Sequence, residues 1–274
     1  AFASARIIVL AAPPLMALSI RFLISGLIAI LVARALGQRL ARGSIAWRPV
    51  IIFGLCQNAL YLGLNFLAMQ WIEAGLAAII ASSMPLLVAF AAWAVLRERL
   101  PLLGVMGLFA GFAGVTLIMG ARLSGGVDLL GVALCVVGAL GLAVATLTVR
   151  GASTGGNLLL VVGLQMLVGA AVLAPFALAF ETWEVAWSWE LVAAFVYTTL
   201  VPGLAATWMW FLLVGRIGAT RAATFHFLNP FLGVSIAAVL LGERLGPLDL
   251  IGVAVIMAGI LAVQMARAAP RTGG

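Results

Sequence analysis

A proline-centred, almost wholly apolar stretch occurs twice in this chain. Ala219–Leu245 reads ATRAATFHFLNPFLGVSIAAVLLGERL, and Ala74–Leu100 reads AGLAAIIASSMPLLVAFAAWAVLRERL. The two align without a gap at a shift of 145 residues, with 10 identities in 27. Pro85 matches Pro230, and Glu98-Arg99-Leu100 matches Glu243-Arg244-Leu245. Further on, Gly107 and Gly114 match Gly252 and Gly259. Runs this long and this apolar belong in a bilayer. Whatever one copy builds, the other must be able to build as well.

The rest of the chain has the same character. Hydrophobic residues make up 65% of it and charged residues 8%, with a mean hydropathy of +1.27. Soluble domains carry about 25% charged residues, so a water-facing surface cannot be assembled here. At about 20 residues per span plus short loops, roughly ten transmembrane helices fit. A β-barrel would need alternating apolar and polar residues in segments of about ten, and the runs are unbroken instead. The spans are read as 1–11, 15–36, 48–69, 74–96, 102–119, 129–149, 157–180, 191–214, 219–241 and 248–265. The first is short for a span and is expected to be a truncated helix. Cys56 and Cys135 lie inside apolar runs without metal-ligand spacing and are read as small buried groups.

The net charge of +7 comes from arginine alone, for there is no lysine. Arg34, Arg39, Arg42, Arg48, Arg97, Arg99, Arg150, Arg216, Arg221, Arg267 and Arg271 fall at one side of the membrane. Arg122 and Arg244 fall at the other, with Glu73, Asp128, Glu181, Glu184, Glu190, Glu243 and Asp249. By the positive-inside bias the first side is cytoplasmic and holds both termini. The basic balance is thereby explained without nucleic acid. Five spans per copy is an odd number, so the second copy enters from the opposite face. The expected organisation is a first repeat over 1–122, a second, inverted repeat over 123–267 and a cytoplasmic tail over 268–274. Inverted repeats of this kind belong to secondary transporters, which bind substrate near the midplane between the halves.

Ten apolar helices as five plus five, the mid-helix prolines of the fourth and ninth, the two Glu-Arg-Leu ends and the Arg21-Phe22 pair resemble the EamA branch of the drug/metabolite transporter superfamily. Within it, the bacterial amino-acid exporters are the nearest match. The resemblance implies an inner-membrane exporter of small metabolites that works by alternating access through a central cavity. It also implies a role for Arg21 at the outer gate or on an anionic group; from the sequence alone, Arg21 and Arg6 are arginines able to snorkel.

Several residues stand out on their own. Pro85 and Pro230 each remove a helical hydrogen bond and push away the carbonyl four residues earlier, those of Ala81 and His226. They are read as hinges or cavity-lining kinks, with plain packing as the alternative. His226, the single histidine, sits three residues from Asn229, and both are read as substrate ligands; the alternative is a neutral histidine bonded between helices. Asn58, Tyr61 and Asn65 form a polar stripe on the third span, suited either to an amino acid's charged ends or to joining helices. Ser82 and Ser83 precede the kink and are expected to bond backbone, with substrate contact as the second reading. Trp208, deep in the eighth span beside Trp210, offers an aromatic face to a side chain or merely packs. Gly104, Gly107, Gly111 and Gly114 mark a close-packing face, either between the repeats or between two chains, with a monomer preferred.

No carboxylate falls well inside a span; Glu98 and Glu243 sit at helix ends. Proton relays use intramembrane acids, so facilitated export is expected, with proton-coupled export of drugs or organic cations as the alternative. No phosphate-binding loop, metal-ligand cluster or nucleophile–base pair is present in the sequence, so neither a cofactor nor a metal is expected. A membrane-embedded enzyme or a scaffold is the reading from another class, and it leaves the paired kinks without a use. The partners expected are a small-molecule substrate and the lipid bilayer.

Overall fold

The computed structural model describes residues 1–38, 46–95, 97–148, 157–206, 208–209, 213, 216 and 225–268, with the side chains of Ala145, Thr148 and His226 outside that description. Among the described residues the chain is all helix. Ten helices follow one another: α1 (Phe2–Ala11), α2 (Pro14–Ala35), α3 (Trp47–Ala68), α4 (Ala74–Ala94), α5 (Leu102–Ser124), α6 (Leu129–Thr148), α7 (Leu158–Phe180), α8 (Trp189–Ala205), α9 (225–241) and α10 (Pro247–Ala268). Six of them, α2, α3, α4, α5, α7 and α10, are long and apolar enough to cross a membrane. Arg39, Arg42, Arg150, Arg221, Arg271, Trp210 and the start of the ninth expected span lie outside the described residues. The fifth span runs more than a turn past its expected end at Met119. Arg122 lies in the last turn of α5, where a cation suits the helix dipole, and it finds two carboxylates there.

The two helices of the duplicated stretch, with Pro85 and Pro230, are both interrupted, and at equivalent places. α4 consists of Ala74–Ser82 and Met84–Ala94, divided at Ser83. α9 consists of a tight 3-10 turn, Phe225–Leu228, followed by Asn229–Leu241. Met84 and Asn229, the residues that open the two α-helical pieces, are 145 apart (229 − 84), the spacing of the duplication. Each stands immediately before its proline, which has no N–H to continue the ladder but fits the first turn of a new helix. The ends match too. Gly242 closes α9 in a left-handed conformation with φ 67°, and Arg97, its counterpart after α4, has φ 54°. Glycine adopts that turn freely, whereas a side chain there costs roughly 1–2 kcal/mol.

A second pair of irregularities was not foreseen. α3 widens into a π-helix over Gly54–Leu62, and α8 does so over Thr199–Ala205. Gly54 and Thr199 are again 145 apart (199 − 54). π turns insert an extra residue per turn and favour functional positions.

The tightest helix pairs each take one helix from either copy: α5 with α10, α2 with α7, α4 with α9, α3 with α6 and α7, and α1 with α8. Glycine makes two of these seams possible. A Cβ on Gly259 would lie 2.5 Å from the Gly111 amide nitrogen and 2.6 Å from the Gly107 carbonyl oxygen. A Cβ on Gly163 would lie 2.9 Å from the Gly26 carbonyl oxygen. The glycine face of α5 is therefore occupied by α10 of the same chain. Phe22, Ile8, Leu18, Met69, Ile72 and Leu76 fill the core between the copies.

Candidate functional site

The polar stripe of α3 is buried, and most of it is engaged. The Asn58 side-chain amide donates to the Gln165 carbonyl of α7 at 2.8 Å. Asn65, 1% exposed, donates to the Tyr61 carbonyl at 2.8 Å and accepts from the Cys135 thiol of α6 at 3.3 Å. Both asparagines thus join helices, one of the two roles the sequence allowed. Tyr61, the middle residue of the stripe, is 8% exposed. The π segment turns the stripe towards α6 and α7, and Gly54, Gly138 and Gly169 clear the space that it needs.

At the α4 break, the Ser82 hydroxyl donates to the Ala78 carbonyl and the Ser83 hydroxyl to the Ile80 carbonyl, both at 2.6 Å. The two serines satisfy backbone, as expected of them beside a proline. In α9 the backbone of His226 lies inside the 3-10 turn and Asn229 opens the α-helical piece. Pro230 is buried, Pro85 half-buried and Trp208 exposed at 54%. The α9 face that meets α4 is marked by Gly233, where a Cβ would come within 2.6 Å of Ala78 Cβ.

Arg21 does not snorkel. It is 7% exposed, with its guanidinium 5.3 Å from the centre of the Phe22 ring. Its Nε donates to the Thr198 carbonyl of α8 at 3.2 Å. That carbonyl lies four residues before Pro202, the position from which a proline withdraws the helical donor. Ser25, one turn along α2, donates to the next carbonyl, Thr199, at 3.3 Å. The Thr198 hydroxyl in turn reaches Ser4 of α1 at 2.7 Å. So α2 donates to two carbonyls where the π segment of α8 begins, and the Thr198 hydroxyl donates to α1.

The acid-rich end of the bundle carries a set of contacts that sequence reasoning missed. Glu243, just past α9, accepts from the Ala74 amide at 2.7 Å and the Gly75 amide at 2.8 Å, the first two of α4. Glu181, just past α7, accepts from the Leu15 and Met16 amides of α2 at 2.7 and 2.8 Å. Carboxylates at helix N-termini meet unpaired N–H groups and the positive end of the dipole. Arg122 bridges Glu73 at 2.7 Å and Asp249 at 2.9 Å, joining the starts of α4 and α10 to the end of α5. Arg6 donates to the Met69 and Ile72 carbonyls that follow α3. The available signal was the acid residue at each helix end; which N-terminus it caps depends on packing between distant helices.

Among the described residues no group of histidine, cysteine and acid side chains could hold a metal ion. The geometry is that of paired, interrupted helices held together by capping carboxylates.

Residues 1–120 and 129–265 each match the EamA-like transporter family. The chain is 28% identical over 254 residues to the uncharacterized transporter YvbV of Bacillus subtilis (strain 168), a match that covers 92% of this chain and 83% of that protein. It is 24% identical over 260 residues to protein PecM of Dickeya dadantii (strain 3937), with 92% and 83% covered. A shorter match, 43% identical over 70 residues, covers 26% of this chain and 22% of a probable amino-acid metabolite efflux pump of Salmonella typhimurium. A crystal structure of a protein shares the fold with a TM-score of 0.69 at 22% identity, covering 97% of this chain and 95% of its own. Two family matches that together span nearly the whole chain, on ten apolar helices of the same fold, leave one conclusion: this is a multi-pass membrane transporter, not an enzyme, and it belongs to the EamA-like transporter family of the drug/metabolite transporter superfamily.

Proposed function

We propose that the protein exports small metabolites, amino acids with aromatic or hydrophobic side chains among them, from the cytoplasm across the cell inner membrane. The halves 1–122 and 123–267 are inverted repeats, with both termini and the 268–274 tail cytoplasmic. Substrate binds between them, near the α4 and α9 breaks, and access alternates between the two faces. The observation that carries this reading is the coincidence of the two breaks, at Met84 and Asn229, one repeat apart and each next to polar side chains. A single kink could be packing; a pair placed by symmetry suits two halves that move against each other.

In this reading Tyr61, His226 and Asn229 contact substrate, and Ser82, Ser83, Asn58 and Asn65 hold the shape of the site. Trp208 offers an aromatic face, Pro85 and Pro230 serve as hinges, and Arg21 braces α8. The substrate class rests on the resemblance to amino-acid exporters and on the relative named a probable amino-acid metabolite efflux pump. Export is facilitated, because the buried acid among the described spans, Asp249, is committed to Arg122 and to its own helix start. The protein acts as a monomer.

The test is uptake into liposomes of a panel of labelled amino acids and organic cations, with and without a pH gradient. Saturable counterflow of apolar and aromatic amino acids that ignores the gradient is expected. Accumulation of cations driven by the gradient, with no amino-acid counterflow, would replace this reading with a proton-coupled drug exporter.

A further inference from the structure

The two capping carboxylates look alike but sit on different machinery. Glu181 joins α7 to α2, helices that lie together along a glycine seam at Gly26 and Gly163. It has no counterpart in the other copy, where Leu36 stands 145 residues earlier. Glu243 joins the end of α9 to the start of α4, the two helices that are each interrupted at mid-length. Its counterpart exists: Glu98 follows α4, half-buried like Glu243, and each is followed by an exposed arginine and a half-buried leucine. The carboxylate retained by both copies is therefore the one attached to the broken helices.

We infer that Glu243 is a latch that closes the acid-rich end of the transporter, holding the first half of α4 against the last half of α9 and releasing it in each cycle. The inference rests on the alternating access of the proposed function and not on the identity of the substrate. Four features fit a releasable contact. The bond is made to two backbone amides, which need no side-chain rearrangement to be remade. The carboxylate is half-buried at the helix end, where water can take its place on opening. Gly75 leaves the room: a Cβ there would lie 2.8 Å from Glu243 Oε2. The Ser83 break allows Ala74–Ser82 to swing without carrying Met84–Ala94 along. Next to the latch, Glu73 and Asp249 on Arg122 tie the same end of α4 to α5 and α10, a second contact that the swing of Ala74–Ser82 must also loosen.

The test uses the full chain with one added reporter, Ser82→Cys, on a Cys56→Ala, Cys135→Ala background. A membrane-impermeant maleimide is applied from each side in turn. Glu243→Gln removes one acceptor of the pair, and Gly75→Ala pushes the carboxylate away without altering it. Each is expected to raise the labelling rate about tenfold from one side of the membrane, the scale set by losing a charge-assisted hydrogen bond. Glu181→Gln is expected to leave the rate at the parent value. Unchanged labelling in both latch variants would overturn the inference, as would equal acceleration from both sides or by Glu181→Gln, which would indicate general loosening. Fluorescence size-exclusion profiles confirm that each variant is folded. No substrate is needed for this readout, so a failed uptake panel sinks the substrate reading and leaves the latch standing.

Discussion

Pro202 has no N–H to give the Thr198 carbonyl of α8, and Arg21 donates to that carbonyl from α2. An unpaired carbonyl in the hydrocarbon region costs several kcal/mol, and a buried guanidinium is itself expensive unless its donors are used. Each group makes the other tolerable. Arg21→Met is expected to lower stability by about 1–3 kcal/mol, the range for a buried acceptor left without a donor. Arg21→Met with Pro202→Ala should recover most of that loss, because alanine at 202 restores the N–H that Thr198 needs. Thermal unfolding in detergent of the four proteins in this cycle measures the coupling; additive losses would show that the two residues act independently. The sequence revealed an arginine in a span and a proline in another. Neither says that they meet, since they are far apart along the chain and α2 reaches α8 only through the fold. The same holds for Asn65 and Cys135, which sequence reasoning separated into a stripe and an inert thiol.

At the scale of helices, the interruption of α4 and α9 was legible because proline acts locally, on its own preceding turn. The π segments of α3 and α8 were not. In α8 the Thr199 carbonyl takes a donor from Ser25 of α2, a partner that no local pattern encodes, and in α3 the Tyr61 carbonyl takes one from Asn65 of its own helix. The glycine row on α5 was legible as a close-packing face, though the sequence allowed it to be intermolecular. The structure gives it to α10, with backbone against backbone at Gly107, Gly111 and Gly259. Gly259→Ala is expected to force the pair apart and to destabilise the protein by about 1–3 kcal/mol, the usual cost of overpacking. Gly120→Ala on α5, where an added Cβ meets nothing within 4 Å, is the matched control and should stabilise by about 0.5–1 kcal/mol through helix propensity alone. A thermal shift of equal size and the same sign in both would show that helix propensity, not the seam, governs the two positions.

For the whole molecule, the duplication announced that the breaks of α4 and α9 would come at matching places, and the composition announced the solvent. What no window of sequence could state is how the copies are shared out. The helices of one copy find their main neighbours in the other: α1 in α8, α2 in α7, α3 in α6 and α7, α4 in α9 and α5 in α10. The link between the copies, at Gly125 and Gly126, makes only a short turn in which Gly126 takes φ 81°. Taken together, these facts predict that continuity of the chain is dispensable and the presence of both halves obligatory. Made as two separate polypeptides, 1–125 and 126–274, the halves are expected to find each other and co-purify from detergent as a stable pair. Either half made alone has lost the partner of nearly every helix it contains, and is expected to be degraded by the cell.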